Sequence, residues 1–250
     1  MKKLNKIFNL ILPIITICFL LIVWSIIAVV ENNEYVVPTV EKTLREFIKL
    51  FGEKKFYIAL LLTLRRSVMA FLLSFLISAV LAYLSSKRLW AERIILPIIS
   101  ITRTLPTLAI AWLFMFWAEE FSPILITMLV VLPTSYTQIK GALDGVNKTS
   151  IEAGRVDGAG WFNTFIKIEV PQIAPDLFSV IGSGLALNFK LMVAAEVLTS
   201  TTKSLGNMIN LATPFFVARI FALSIVVILL GLVVEFLFNM LSKKSAIWRE

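Results

Sequence analysis

Apolar blocks nearly free of charge alternate with short polar segments along the whole of this 250-residue chain. The first block, residues 9–30, runs for 22 positions without a charge. As a helix rising about 1.5 Å per residue it would be roughly 33 Å long, enough for the roughly 30 Å hydrocarbon core of a bilayer. Lys2, Lys3 and Lys6 precede it, as in a secretory signal. A signal's apolar region, however, is only about 7–15 residues long and closes on a small-residue cleavage site. This run is longer and ends in Ala28-Val29-Val30-Glu31, so it is expected to stay as a first span. Later blocks predict spans near 67–84, 95–117, 121–139, 177–198 and 219–240. The pattern is that of an all-α, polytopic membrane protein with about six transmembrane helices.

The segment 38–66 is too polar to cross. Val40, Leu44, Phe47, Ile48 and Phe51 recur at helical spacing there, which predicts an amphipathic helix on the membrane surface. The chain therefore divides into 1–66, a first span with its amphipathic segment; 67–240, a membrane core interrupted by the polar loop 141–175; and 241–250, a short tail. Neither internal repeats nor low-complexity segments occur.

Composition agrees with this picture. Hydrophobic residues make up 58%, charged residues 16%, and the mean hydropathy is +0.89, against about 45–50% and about 25% in soluble domains. The net charge of +8 does not point to nucleic acid, because the 24 Lys and Arg are scattered between apolar blocks and form no aromatic-lined basic patch. Cys18 is the sole cysteine, so no intrachain disulfide can form, and the absence of histidine removes the commonest metal ligand and general base. Positive charge orients the spans. With the N-terminus in the cytoplasm, thirteen basic residues fall on cytoplasmic segments and nine outside, while Arg103 and Lys190 fall within spans. Both termini are then cytoplasmic.

The longest cytoplasmic polar stretch is Gly141 to Pro175. Thr149-Ser150-Ile151-Glu152 has the form of a capping box, with Thr149 capping a helix and Glu152 reaching back. Gly154, Gly158 and Gly160 would break that helix or let it pack closely, and a second short helix is expected from Trp161 to Ile168, ending before Pro171. The alternative is a plain connector. The glycine spacing superficially matches dinucleotide sites, but those follow a strand inside a βαβ unit, and here a membrane span precedes. Asn147-Lys148-Thr149 is formally a glycosylation sequon that a cytoplasmic location would silence.

At these residues the chain resembles the inner-membrane permeases of bacterial ATP-binding-cassette importers. Their signature loop reads E-A-A, three residues, G, nine residues, then I-x-L-P. Glu152, Ala153, Gly154, Gly158, Ile168, Val170 and Pro171 stand at these offsets, with Gly154 for the second Ala and Val170 for Leu. The resemblance extends over about residues 60–235. Arg103-Thr-Leu-Pro106-Thr-Leu-Ala109 and Ala194-Ala195-Glu196, with Gly206 following, are similar to the nitrate, sulfonate and taurine branch, although Trp112 and Glu119 stand where that branch often has Pro and Gly. The resemblance implies a type I importer permease fold in the bacterial inner membrane. It implies a coupling helix formed by Glu152, Ala153, Gly154, Gly158, Ala159, Ile168 and Pro171, docking into a separate cytoplasmic ATPase subunit. It also implies a second permease copy, identical or different, and an extracytoplasmic solute-binding protein. ATP and Mg would be used by the ATPase; this chain has no G-x-x-x-x-G-K-[ST] and is expected to bind no cofactor and to be no enzyme.

Ionisable residues within spans are costly and usually face a cavity or a partner. Asp176, Ser179, Gly182, Ser183, Ala186 and Lys190 fall on one helical face, small and polar, ending in a cation. That face lines a cavity, or packs spans or permease copies together; Lys190 faces the cavity or snorkels outward. Arg103, just before Pro106, which is expected to kink the third span, has a structural role or contacts solute, and Glu196 is a gate or half of a structural pair. Glu235 pairs with a cation or faces water. Trp24, Trp90, Trp112 and Trp117 lie near span ends as belt anchors. Arg103, Ser179, Ser183, Lys190 and Glu196 are thus the translocation-path candidates. Two cations suit a small anion such as a sulfonate, taurine or nitrate, and a vitamin precursor is a further candidate. The rival classes are an ion channel or proton-coupled carrier, which would show repeated intramembrane carboxylates, and a membrane-embedded enzyme, for which no acid–base constellation is present.

Overall fold

The computed structural model describes residues 2–213 and 216–245, with side chains from residue 12 onward except that of residue 155; Arg249 and the end of the expected tail lie outside the described residues. The helices in chain order are α1 (Lys2–Glu31), α2 (Val40–Leu50), α3 (Lys54–Lys87), α4 (Leu89–Thr104), α5 (Thr107–Ala118), α6 (Ser122–Asp144), α7 (Lys148–Val156), α8 (Trp161–Thr164), α9 (Val170–Leu198), α10 (Leu205–Ala212) and α11 (Val217–Ser245). No strand occurs among the described residues.

Five helical stretches are long and apolar enough to cross a bilayer: Leu12–Glu31, Lys54–Lys87, Thr107–Asp144, Trp161–Leu198 and Val217–Ser245. The expected third span, 95–117, is broken. Leu105 and Pro106 are extended, because the residue before a proline disfavours helix, and α4 and α5 form on either side. Glu119 turns the chain at φ 41°, and α6 runs back alongside. Contacts proceed in antiparallel order, from Glu92–Lys140 (3.0 Å) through Arg103–Thr137 (2.6 Å) to Phe114–Ser122 (2.8 Å). Helix α5 therefore runs back along α6 while α4 lies against its Lys140 end, and the two together connect α3 to the start of α6.

The second pass also differs from its expected limits. Helix α3 starts at Lys54 rather than near residue 67. Arg66 does not end the helix, because its guanidinium is neutralised by Glu196 at 3.1 Å, and Arg65 lies on the exposed side. Along α3, Ala59, Thr63, Ser67, Ala70, Ser74, Ser78, Ala82 and Ser85 are all buried. Their steps of three and four residues make one continuous stripe of small side chains, which lets neighbouring helices approach closely. Ser74 and Ser78 donate to the Met128 and Leu132 carbonyls of α6, and Tyr136 donates to Ser85. Asn188 of α9 donates to Ser67. Helix α3 is thus the axle against which α6 and α9 pack, and α11 covers the other side of α9.

The end of the bundle that carries α7 and α8 is called the loop end below, and the opposite end the far end. The amphipathic helix expected in 38–66 is α2, at the far end. Thr43, Phe47 and Leu50 turn inward, whereas Leu44, Ile48 and Phe51 stay exposed. Arg219 at the start of α11 holds the Glu53 carboxylate with both guanidinium nitrogens (2.8 and 2.5 Å), and this hydrogen-bonded charge keeps the Glu53 pKa below the ordinary carboxylate value. Helix α1 touches the rest sparingly. Trp24, expected as a belt anchor, donates to the Pro38 carbonyl at 3.0 Å and lies 5.4 Å from the Phe221 ring.

Candidate functional site

The loop-end segment departs from its expected local form in two ways. Asn147, not Thr149, caps α7: its side-chain oxygen accepts from the Thr149 N–H at 2.9 Å. Asn caps as well as Thr, and it stands directly before the first helical residue. The capping box is therefore not formed, and Glu152 is exposed. The second helix also does not stop before Pro171. Helix α8 passes through a π-turn over Phe165–Glu169, in which the Val170 N–H donates to the Phe165 carbonyl, and then directly into α9. A proline lacks its N–H and crowds the carbonyl four residues earlier; the wide turn immediately before Pro171 relieves both problems.

The signature residues fit together physically. Gly154 of α7 faces Ile168: a Cβ at Gly154 would lie 2.4 Å from the Ile168 Cδ1, so the glycine makes room for that side chain. The Asp157 and Ala159 N–H groups close the helix end on the Ala153 and Gly154 carbonyls (3.0 and 2.9 Å). Gly158 then takes φ 79° with open space around it, so its requirement is conformational rather than steric. Ala153 and Gly158 are exposed, Ala159 is half-buried, and Pro171 is exposed on the first turn of α9.

Residues not singled out in the sequence hold this hook on the bundle. The Trp161 indole donates to the Tyr83 hydroxyl at 2.8 Å and stacks on Phe165, whose ring meets Tyr83 edge-on at 5.0 Å. Below them Lys87 of α3 pairs with the buried Glu169 at 2.6 Å. The hook presents a run of apolar side chains outward: Val156 is 86% exposed, Trp161 67% and Phe162 64%.

The membrane candidates fall into three places. Glu196 is wholly buried at the far end, accepting from Thr63 (2.8 and 3.0 Å), Arg66 (3.1 Å) and the Gly206 N–H (3.4 Å). Thr63 in turn accepts from the Leu205 N–H at 3.0 Å, so one carboxylate ties α3, α9 and α10 together. Arg103 stands apart on α4, donating to Thr137. Ser179, Ser183 and Lys190 share the expected face of α9. Ser179 and Ser183 line a cavity of about 410 Å³ with Gln138 of α6; Ser183 and Lys190 line another, of about 580 Å³, against α11. Gly182 does not line that cavity: a Cβ there would meet the Phe238 Cβ at 2.5 Å, so it brings α9 and α11 into contact.

Comparison with known proteins bears on these features together. Residues 74–246 match the family described as the binding-protein-dependent transport system inner membrane component. This chain belongs to that family. A Methanocaldococcus jannaschii protein provisionally named as an ABC transporter permease is 26% identical over 97% of this chain and 93% of its own length. A Bacillus subtilis protein provisionally named as the aliphatic sulfonates transport permease SsuC is 26% identical over 99% of this chain and 90% of its own. The taurine transport system permease protein TauC of Escherichia coli is 25% identical over 88% and 85%. Among solved structures, an inward-facing MetNI methionine ABC transporter has a TM-score of 0.64 at 16% identity, covering 73% of this chain and 92% of that one. An amino acid ABC transporter has a TM-score of 0.57, covering 80% and 92%. The protein is an all-α, multi-pass membrane permease of the ABC importer class. As a permease it is a transporter subunit and not itself an enzyme.

Proposed function

We propose that this permease imports a small solute with energy from a separate ATPase, and that the segment Thr149–Pro171 is the element that docks there. One observation carries the reading: the hook exposes apolar side chains on its outer side, and Gly154 and Ile168 of the signature pack directly on each other. A connector needs neither property. The clasp of Tyr83, Trp161, Phe165, Lys87 and Glu169 joins the hook to α3 and α9, so a push on it reaches the helices lining the cavities. On this reading ATP and Mg are used by the ATPase, this chain holds no cofactor, a second permease copy completes the path, and a binding protein delivers solute at the far end. The loop end and both termini face the cytoplasm. The taurine and sulfonate names of the relatives favour a small organic solute with an anionic group, with nitrate and a vitamin precursor as further candidates.

The experiment is uptake of labelled taurine and ethanesulfonate into proteoliposomes holding the permease, its ATPase and its binding protein. Uptake should require ATP on the loop side and survive ionophores that collapse all ion gradients. Uptake driven by a gradient without ATP would instead identify a secondary carrier or channel.

A further inference from the structure

The cavity between α9 and α11 holds two intramembrane charges of opposite sign. Lys190 of α9 and Glu235 of α11 both line it, with Ser183, Ala186, Ser224 and Gly231 between. Neither charged side chain has a hydrogen-bond or ion-pair partner among the described residues. Ionisable residues within spans are costly and usually face a cavity or a partner. The two helices run antiparallel, with Ala186 beside Gly231 and Gly182 beside Glu235. Glu235 therefore lies level with Gly182, and Lys190 lies two turns, or roughly 12 Å, farther along. Small and apolar side chains line the groove between the two charged residues.

We infer that this groove selects a small zwitterion, its anionic group held by Lys190 and its cationic group by Glu235, and not a simple anion. The inference rests on the importer reading and narrows its solute class. A sulfonate or nitrate alone would satisfy Lys190 and leave the Glu235 carboxylate unpaired beside it, which disfavours that solute. A zwitterion neutralises both charges and arrives carrying no net charge.

The test uses the complete importer in proteoliposomes, with taurine, glycine betaine and γ-aminobutyrate as zwitterions. Ethanesulfonate serves as the anion alone and ethylamine as the cation alone. Wild type should take up at least one zwitterion at least about tenfold faster than either single-charge probe. Glu235→Gln should lower zwitterion uptake about tenfold or more and shift the ratio toward ethanesulfonate, and Lys190→Met should shift it toward ethylamine. The binding protein is the same in every arm, so a changed ratio reports the permease. Equal loss for all probes in both variants would make Lys190 and Glu235 a structural pair, within one copy or between copies, and overturn the inference. Best uptake of ethanesulfonate by wild type, or uptake of no zwitterion, would overturn it as well. In each case ATPase co-purification and ATP-dependent uptake of any probe remain the separate measure of the importer reading itself.

Discussion

Single residues at the far end carry constraints that a list of polar positions does not express. Gly206 approaches the backbone so closely that a Cβ would lie 2.6 Å from the Val197 nitrogen and 2.7 Å from the Glu196 carbonyl carbon. Backbone cannot step aside as a side chain can, and the same contact delivers the Gly206 N–H to the Glu196 carboxylate. Gly206→Ala should therefore destabilise the protein by about 2–3 kcal/mol, the upper part of the range for overpacking, read as a lower unfolding temperature in detergent. Gly231→Ala is the control: its nearest foreign atom, the Ala186 Cβ, is 3.9 Å away, and the change should be close to neutral. Glu196 itself stood out in the sequence as an acid near the end of the expected span 177–198. Its partners Thr63 and Arg66 did not, because they lie more than 120 residues away and nothing local marks them.

The elements were legible where they depend on apolar runs and illegible where they depend on pairing. Each expected span reappears as helix, since a 20-residue apolar run in lipid has no other way to satisfy its backbone. Their limits moved at charges that find partners, as at Arg66, and at prolines: Leu105-Pro106 broke a span, whereas Pro171 was absorbed by a π-turn. The sequence drew attention to the small-residue face of α9, yet the fuller stripe belongs to α3. Ser78, wholly buried, shows its weight, donating to the Leu132 carbonyl at 2.8 Å. Ser78→Leu should wedge α3 from α6 and cost roughly 1–3 kcal/mol, reducing the folded yield in membranes. Leu76→Ala, at an exposed position on the same helix, should leave that yield unchanged.

At the scale of the whole molecule, the account makes the loop end cytoplasmic and the far end external. With Cys18 replaced by Ser, a cysteine at Gly52 should react with an impermeant thiol reagent applied to whole cells, and one at Asn163 should react only after permeabilisation. The reverse pattern would invert the orientation. The signature spacing pointed to the loop, and two of its residues, Gly154 and Ile168, pack on each other and so must keep their separation. The aromatic clasp that fixes the loop to α3 was invisible, since Tyr83 and Trp161 are 78 residues apart. Gly158 stands at the centre of the claim: its φ of 79° is a conformation that L side chains rarely adopt, and it lies exposed on the hook, outside the spans. The most direct measurement is recovery of the ATPase subunit with wild-type and Gly158→Arg permease at matched expression in the membrane. The account predicts that the variant is inserted and folded, retains little ATPase and loses transport; undiminished recovery with normal transport would contradict it and leave the loop a connector.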